Sequence, residues 1–399
     1  NNSMYLQINR IGFHIIAVCF VLVLISCGNK DSLNEKDKLI HFDVSNWTNN
    51  QRIPAKVIKK VKFIPLETNK NCMVGDIKKI TMVKDRLYIM DRGINKKIFI
   101  FDREGRYLAS IGNYGRGPGE FIGLVDFIID DNKGQLFALD ADQRKVLIYN
   151  LQDGNFLNDF KINFLSTDFE KLDDNTLSFF SKFPQVNSRK SYSIAIMNLK
   201  NKSCKWFLEQ DVYDTPLSGS YAIFKSNSTY YAPYLKDIVF RLTRGEVEPA
   251  ITFDFGQKKI PRDKIKGTNR NTRQIIDLLE KGEKDWTYGI ENVFETDQFI
   301  TFNFTLERRH TMVIYSKSSA DYYYGNRYEG GLEIFRLIRN IAVNDNQFMG
   351  VINAYFFEKA ERKILEQGDK ELIFEYRQAL NTLSNGSNPI IISIEYNIF

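Results

Sequence analysis

Histidine is scarce in this sequence: the 399 residues include three, His14, His41 and His310. His14 falls in an N-terminal apolar run that we expect to be removed, which leaves two for the folded protein. A metal site built from several histidines is therefore excluded. A Ser-His-Asp triad would depend on His310, because His41 lies in a predicted tether. The Asp-Asp-Asn cluster at residues 130–132 has oxygen ligands but lacks the spacing of a calcium-binding loop, and we predict neither a metal nor a cofactor.

Alanine is also scarce, with 14 residues, whereas 31 Phe, 20 Tyr and 3 Trp make up 14% of the chain. This balance favours strands over helices. Charge of one sign is not in large excess, since 55 Lys and Arg stand against 49 Asp and Glu, a formal net charge of +6. The surplus of positive residues lies before residue 80, so the rest of the chain has no basic stripe. We therefore expect no nucleic acid partner.

Cysteine is limited to four residues, of which Cys19 and Cys27 lie in the N-terminal segment. Cys72 and Cys204 remain for the folded protein, and two cysteines so far apart do not form a disulfide framework. One disulfide between them and two buried free thiols are both compatible with the sequence. We favour the free thiols.

Long hydrophobic runs are confined to residues 11–25, which follow Arg10. Fifteen residues are too few for a comfortable membrane span, and a short apolar run after a basic residue indicates a secretory signal. Leu24, Ile25, Ser26 and Cys27 resemble the lipobox of bacterial lipoproteins, in which the cysteine is acylated and becomes the mature N-terminus. The alternative is an ordinary signal peptide with an incidental cysteine.

The lipobox resemblance divides the chain into three parts. Residues 1–26 are the signal peptide, residues 27–52 after the lipidated Cys27 are a polar, flexible tether, and residues 53–399 are the folded domain. Several acyl chains on one cysteine give stable membrane anchoring. Gly28, rather than an aspartate, follows the cysteine, which favours the outer membrane of a bacterial cell envelope. The sequence leaves open whether the domain faces the periplasm or the cell surface.

An internal repeat runs through the predicted domain. Residues 86–91 and 98–102 correspond to residues 135–140 and 146–150, with the same order of apolar and turn residues. Gly105 and Gly154 mark tight hairpin turns after the later segment of each copy. Each unit is predicted as four short strands, and fainter copies follow at residues 192–207, 237–253, 311–315 and 338–353.

Four strands per repeat of about 45 residues are typical of a β-propeller blade. We predict an all-β fold: a six-bladed β-propeller of four-stranded blades with two short helical insertions. The insertions are placed at residues 274–279, after a cap at Asn271, and at residues 356–383, broken near Gly368. Residues 57–65 and 389–398 are expected to share one composite blade that closes the ring. A pair of β-sandwiches with helical additions is the alternative, but it does not explain the repeat.

A longer motif carries a family resemblance. Residues 114–121, Tyr-Gly-Arg-Gly-Pro-Gly-Glu-Phe, are followed by Val-Asp-Phe at 125–127. With the lipobox, residues 63–68 and Asn388-Pro389, this pattern resembles the six-bladed β-propeller lipoproteins of Bacteroidota, which are similar to NHL-repeat propellers. The resemblance covers nearly the whole chain and implies the fold and an envelope location. It implies no activity, because the family has no general reaction or catalytic residues to carry over.

One rim of the predicted propeller gathers polar residues. Strands alternate in direction within a blade, so the loop between the second and third strands lies on the same face as the loop into the next blade. Loops on a rigid scaffold often carry function, and arginines there would donate charge-assisted hydrogen bonds to an acidic or hydroxylated ligand. The predicted ligand-binding residues are Arg92, Arg116, Glu120, Asp140 and Arg144. Asp91 and Asp142 lie on the same rim.

A purely structural interpretation of this rim remains open. Gly115, Gly117 and Gly119 would then serve positive-φ positions of a blade connection, and Arg116 and Glu120 would brace neighbouring blades. Aromatic residues offer a second, weaker set of contacts for sugars or partner chains: Trp47, Trp206, Trp286 and the run at residues 322–324 with Arg327.

Two functions are compatible with these features. The first is an envelope lipoprotein whose propeller is a binding or interaction scaffold for a glycan, a peptide or a protein. The second is a propeller enzyme, a lyase or hydrolase acting on a polysaccharide or peptide, with acidic and arginine residues of the rim in catalysis. Two carboxylates and an arginine converging in a deep channel would favour the enzyme, and a shallow aromatic face would favour binding.

Overall fold

Strands are the main regular structure of the described chain because its apolar residues come in short runs separated by turns. The structure is a computed structural model that describes residues 39–93, 96–181, 190–211, 213–214, 222–268, 271–282, 284–329, 341–384 and 386–399. The chain divides into units of residues 1–40 and 41–399, and the fold described below is that of the second. The predicted signal peptide, Cys27 and the first part of the predicted tether lie outside the described residues.

Six sheets radiate from one axis as blades one to six. Three strands precede blade one: β1 (Ile40–Asp43), β2 (Arg52–Ile53) and β3 (Ile58–Pro65). Blade one contains β4 (Ile77–Val83), β5 (Arg86–Asp91), β6 (Lys97–Asp102) and β7 (Tyr107–Ile111). A small parallel pair follows, β8 (Asn113–Tyr114) and β9 (Glu120–Phe121). Blade two contains β10 (Leu124–Asp130), β11 (Gln135–Asp140), β12 (Lys145–Asn150) and β13 (Phe156–Lys161).

The later blades repeat the same order. Blade three contains β14 (Ser166–Asp173), β15 (Thr176–Ser181), β16 (Tyr192–Asn198) and β17 (Cys204–Glu209). Blade four contains β18 (Ile223–Lys225), β19 (Thr229–Tyr231), β20 (Ile238–Leu242) and β21 (Val247–Asp254). Blade five contains β22 (Tyr288–Glu295), β23 (Phe299–Leu306), β24 (Arg309–Ser316) and β25 (Tyr322–Gly325), and β26 (Arg327–Tyr328) follows it. Blade six contains β27 (Ala342–Asn344), β28 (Gln347–Ile352) and β29 (Ile390–Tyr396), with β3 as its outer strand.

The predicted all-β six-bladed propeller is therefore confirmed, including the composite blade. In blade six β29 pairs antiparallel with β3, with Ile391 opposite Ile64 and Ile392 opposite Phe63. The middle strands of the blades are apolar on both faces because each blade packs between two others. Residues 87–91 of β5, for example, are all buried.

The α-helices of the described residues occur in two insertions, as predicted, and short 3-10 helices lie at Ala55–Val57 and Gly256–Lys258. The first, before blade five, has α1 (Arg262–Gly267) and α2 (Thr272–Lys281), and Asn271 caps α2 by accepting a hydrogen bond from the Gln274 amide at 3.1 Å. The second lies inside blade six and has α3 (Ala354–Lys359), α4 (Glu361–Gln367) and α5 (Lys370–Leu380). The chain turns at Gly368, where the sequence predicted a break. No helix of the described residues is long and apolar enough to cross a membrane.

The N-terminal segment departs from its prediction as a flexible tether. β1 adds a fifth strand to the edge of blade four, and β2 pairs in parallel with β26 beside blade five. Between them Trp47 is buried and stacks on Tyr324, with ring centroids 3.8 Å apart and an angle of 11°. Apolar burial holds residues 41–53 against the propeller, so the folded part begins earlier than residue 53. We call residues 41–53 the belt. From the belt the chain continues into β3 of blade six.

The two cysteines of the folded unit are free thiols, as the sequence favoured. Cys72 is fully buried, and its thiol donates to the Glu67 carbonyl at 3.2 Å. Burial raises the pKa of the Cys204 thiol to about 11. Neither thiol is activated as a nucleophile.

Asn388 fastens blade six to the loop that leads into blade one. Its side-chain amide is buried, donates to the carbonyls of Glu67 and Cys72 at 2.6 Å each, and accepts from the Val74 amide at 2.8 Å. The backbone amide of Asn388 donates to the Thr68 hydroxyl at 2.8 Å. One side chain thus satisfies three backbone groups where the ring closes.

Replacing Asn388 by alanine should lower the free energy of unfolding by about 2–4 kcal/mol, because buried backbone groups would lose their partners. Denaturant unfolding of the full chain measures this. Asn158→Ala on the exposed outer strand β13 is the matched control and should change stability by less than about 0.5 kcal/mol. Equal effects of the two substitutions would contradict the role given to Asn388.

Candidate functional site

The inner strands of the six blades surround a central channel. Contacts run from β4 to β10, β14, β18, β22 and β27 in turn, and from β27 back to β4, so the ring is closed. Four of these strands, β4, β10, β14 and β22, carry a register shift near their start. The shift exposes extra side chains of each inner strand toward the axis.

An equivalent position after the shift is ionisable in three successive blades. Lys79 in β4 lies opposite Met90, Asp126 in β10 opposite Leu139, and Asp168 in β14 opposite Phe180. The repeat therefore places a cation and two carboxylates at one level of the channel wall. Lys79, Asp126 and Asp168 were not among the residues predicted from the sequence, although an alignment of the repeated units brings their three positions together.

Lys79 links blades one, two and three. Its ammonium lies 2.9 Å from Asp126 Oδ1 and 2.8 Å from Glu170 Oε1, and the exposed fractions of the three side chains are 15%, 2% and 8%. Asp126 also accepts from the amides of Phe127 at 2.8 Å and Phe169 at 3.0 Å. We call Lys79, Asp126 and Glu170 the channel triad. It satisfies charges that burial would otherwise make costly.

Burial and neighbouring charge perturb the titration of these groups. Burial lowers the pKa of Lys79, but the two carboxylates outweigh it and raise the pKa above its ordinary value. Burial, together with Glu170 and Asp168, raises the pKa of Asp126 to about 7 against the opposing effect of Lys79. Burial likewise raises the pKa of Asp168, which Lys78 opposes. With two carboxylates around one lysine, Asp126 is protonated more readily than an ordinary aspartate.

A cavity of about 300 Å³ lies in the channel beside the triad. Its lining runs from the middle of the inner strands to turn residues of blades four and six, so it lies toward the face that carries the turns between first and second strands. Such a volume is at the lower end of small-molecule sites. Aliphatic and aromatic side chains form much of the wall, and the polar and charged lining residues are Lys79, Thr81, Glu170, Lys225, Ser226, Asn227, Asn292, Asn344 and Asp345.

Two of these polar groups have bonding capacity to spare. The side chain of Lys225 is exposed, and its ammonium donates to Thr229 Oγ1 at 3.1 Å. Burial lowers its pKa, an effect that Glu170 partly offsets. The Asn292 amide makes no hydrogen bond with any described residue, and its backbone has φ of +55°, a conformation that non-glycine residues adopt rarely.

The predicted rim residues lie elsewhere and do not line this cavity. Asp140 is buried and accepts from the amides of Ile122 at 2.8 Å and Gln143 at 2.9 Å, while the Gln143 side chain donates to it at 2.7 Å. Asp91, at the equivalent position of blade one, accepts from the amides of Asp76 and Gly93 at 2.9 and 2.8 Å. Both aspartates fasten a blade connection.

The glycine-rich loop is organised around Glu120. Its carboxylate accepts from the Gly117 amide at 2.8 Å and occupies the space that a Cβ at Gly115 would need, 2.0 Å from that position. Gly119 has φ of +72°, as the structural interpretation of the loop requires, whereas Gly115 provides room instead. Glu120 thus holds its own loop in shape.

The three predicted arginines of the rim are exposed. Arg92 lies 3.3 Å from the Asp76 carboxylate, in a pair exposed on both sides, and Arg144 has φ of +50°. Arg116 makes no ion pair or hydrogen bond with the described residues, so no contact among them supports a bracing role. Ligand binding at Arg92, Arg116, Glu120, Asp140 and Arg144 stays a prediction.

The predicted aromatic contacts are mostly internal. Trp47 packs on Tyr324 in the belt, Trp206 contacts Phe164 with ring centroids 5.0 Å apart, and Trp286 is buried. His310 lies 3.9 Å from Glu291. Within the same described ranges no group of three or more His, Cys, Asp or Glu side chains is arranged to hold a metal ion.

Comparison with known proteins gives a family and a fold. A family model described as "Domain of unknown function (DUF4934)" matches residues 39–395. A solved structure from Bacteroides fragilis, provisionally described as an exported protein, is 21% identical and superposes with a TM-score of 0.73 over 90% of this chain and 100% of its own. A member of the DUF4221 family from Bacteroides vulgatus is 10% identical, with a TM-score of 0.51 over 88% and 99% of the two chains. At these identities the likeness shows the fold alone, and the chain matches no curated protein.

Replacing Lys79 by methionine should destabilise the fold by about 3–5 kcal/mol at pH 8, because Asp126 and Glu170 would remain buried without a cation. The loss should shrink at pH 5, where Asp126 is protonated and needs the cation less. Denaturant unfolding at the two pH values measures both effects.

Lys84→Met is the matched control, since Lys84 pairs with Asp131 on the surface with exposed fractions of 75% and 40%. An exposed pair contributes about 0–1 kcal/mol. Similar losses for the two lysines, or a Lys79→Met loss that does not change with pH, would contradict the role of the triad.

Proposed function

We propose that this chain, which belongs to the DUF4934 family, is a lipid-anchored protein of a bacterial cell envelope whose propeller binds a small polar ligand in its central channel. The observation that carries the binding function is the cavity of about 300 Å³, to which all six inner strands contribute. Ligand sites are typically concave, largely apolar and equipped with a few well-placed polar groups. The channel cavity is concave, half of its lining residues are apolar and half are polar or charged, and its walls are fixed by the closed ring.

The volume of the channel cavity limits which of the partners predicted from the sequence could bind there. A cavity of about 300 Å³ accommodates a small molecule or the end of a longer chain, such as a terminal sugar or a side chain of a peptide. A folded protein would have to dock on an outer surface instead. Among glycan, peptide and protein partners, the channel therefore favours the first two.

Catalysis has one supporting observation. Asp126, with its pKa raised to about 7, and Glu170 converge on one lysine in the channel, and a carboxyl group titrating near neutrality is suited to proton transfer. However, Asp126 is buried and does not line the cavity, and Glu170 is engaged by Lys79. The cation between the two carboxyl groups is a lysine, whereas the enzyme hypothesis expected an arginine. These features support binding over turnover.

The envelope location rests on residues 24–27, with their likeness to a lipobox, and on the fold shared with the Bacteroides fragilis protein provisionally described as exported. Lipidation of Cys27 would keep the propeller on a membrane, with the outer membrane favoured by Gly28. A ligand captured in the channel would then be held at the cell envelope.

Filling the cavity should abolish binding. In a thermal-shift screen of the full chain in detergent, sugars and short peptides that raise the Tm of the wild type should fail to do so with Thr81→Trp, because the indole would occupy the channel. Ala109→Trp, on the exposed outer strand β7 of the same blade, is the matched control and should keep the shift. A shift that survives Thr81→Trp but is lost in Arg116→Ala would move the site to the rim.

Lipidation has a separate test. The full chain expressed in a bacterium with an alkyne-labelled fatty acid should incorporate the label and fractionate with membranes. Cys27→Ala should lose the label, because no other cysteine stands in a lipobox, whereas Cys19→Ala should retain it. Label that persists in Cys27→Ala would contradict the anchor and leave the channel site unaffected.

A further inference from the structure

Lys225 is the feature of the channel that the fold does not explain. It ends β18, the inner strand of blade four, and lines the cavity. Its neighbour in the channel, Lys79, is neutralised by two carboxylates at 2.8 and 2.9 Å. Among the described residues, Lys225 Nζ has no carboxylate within ion-pairing distance and donates only to the Thr229 hydroxyl. An ammonium that keeps two donors unused inside a concave site is suited to an anionic group.

Two further polar side chains of the lining are uncharged amides without a partner among the described residues. Asn292 and Asn344 line the same cavity, and neither side-chain amide bonds to a described residue. Asn292 is also held at φ of +55° in a strand with two register shifts. Amides donate and accept, so they match hydroxyl groups.

The acidic side chains near the cavity do not remove the preference of Lys225 for an anionic group. Glu170 is committed to Lys79, and Asp345 lies exposed on a turn of blade six, at the mouth of the cavity. One cation with two unused donors matches the single negative charge of a carboxylate better than the double charge of a phosphate group.

We infer that the channel binds a small hydroxylated carboxylate, such as a sugar acid, with its carboxylate on Lys225 and its hydroxyl groups on Asn292 and Asn344. This inference rests on the proposed function, because it names the ligand class of the same cavity. The apolar walls, including Phe224 and Phe294, would face the hydrophobic side of the ring.

Isothermal titration of the full chain in detergent tests the ligand class with four probes: D-glucuronate, D-galacturonate, D-glucose and D-galactose. We expect each acid to bind at least about 10-fold more tightly than its neutral counterpart, the range of a charge-assisted hydrogen bond. Lys225→Met should weaken binding of the acids by about 10- to 100-fold and leave the neutral sugars unchanged. Asn292→Ala should weaken acid and neutral sugar alike.

Controls separate loss of charge from loss of fold. Lys62→Met removes an exposed lysine from the outer strand of blade six and should change nothing. Lys225→Arg keeps the charge and should restore most of the acid affinity, and the Tm of each variant reports whether it is folded. Glucose 6-phosphate and galactose 6-sulfate test the anion, and tighter binding of either than of the uronates would overturn the assignment to a carboxylate.

The remaining outcomes distinguish the inference from the proposed function. Equal affinity for acids and neutral sugars, or full acid affinity in Lys225→Met, overturns the ligand class while leaving a channel site in place. If the uronates do not bind but another ligand shifts the Tm of the wild type and not of Thr81→Trp, the inference fails and the proposed function stands. If no ligand shows that dependence on Thr81, both fail.

Discussion

The pairing of β29 with β3 is the constraint on which the rest of the structure depends. It joins the last strand of the chain to one that precedes blade one, with Ile391 opposite Ile64. Loop-closure entropy rises slowly with length, so a connection across most of the chain costs little more than one across a single blade. Once it forms, β27 lies against β4 and the six inner strands enclose a channel. Asn388 secures the same junction by satisfying backbone groups of the loop that follows β3.

Closure of the ring brings charged and polar side chains into a confined space. Some of them are fully paired there, and others keep unused hydrogen-bond donors. Lys79, Asp126 and Glu170 satisfy one another, and Asp140 is saturated by backbone and side-chain amides. Such groups serve the fold, because an unpaired buried charge is costly. Lys225 and Asn292 retain unused donors toward the described part of the channel. Unused donors distinguish Lys225 and Asn292 from the saturated Asp140 of the rim. The exposed Arg116 of the rim has no partner among the described residues either, so it is the position of Lys225 and Asn292 in the channel cavity that sets the candidate ligand site apart.

The belt adds a second link around the ring. β1 extends blade four, Trp47 packs on blade five, and β3 completes blade six, so one segment of chain crosses three neighbouring blades. A strand at a sheet edge has unpaired backbone groups, and covering it protects against association with other chains. The aromatic residues at 322–324, which the sequence offered as a contact surface, are used in part for this internal packing.

The sequence by itself determined the repeat, the strand order within each unit, both helical insertions and the composite blade, because these depend on local patterns of apolar and turn residues and on the need to close a ring. It also indicated the cap at Asn271 and the break at Gly368. Only the tertiary structure decided which polar residues meet. Lys79 and Glu170 are 91 residues apart and touch because closure sets their blades around one axis, and no local pattern encodes that contact. For the same reason the sequence predicted Asp140 as a ligand-binding residue, although backbone and side-chain amides saturate its carboxylate in the fold. Lys225 belongs to a faint copy of the repeat, and only the arrangement of the inner strands around one axis places it in the cavity.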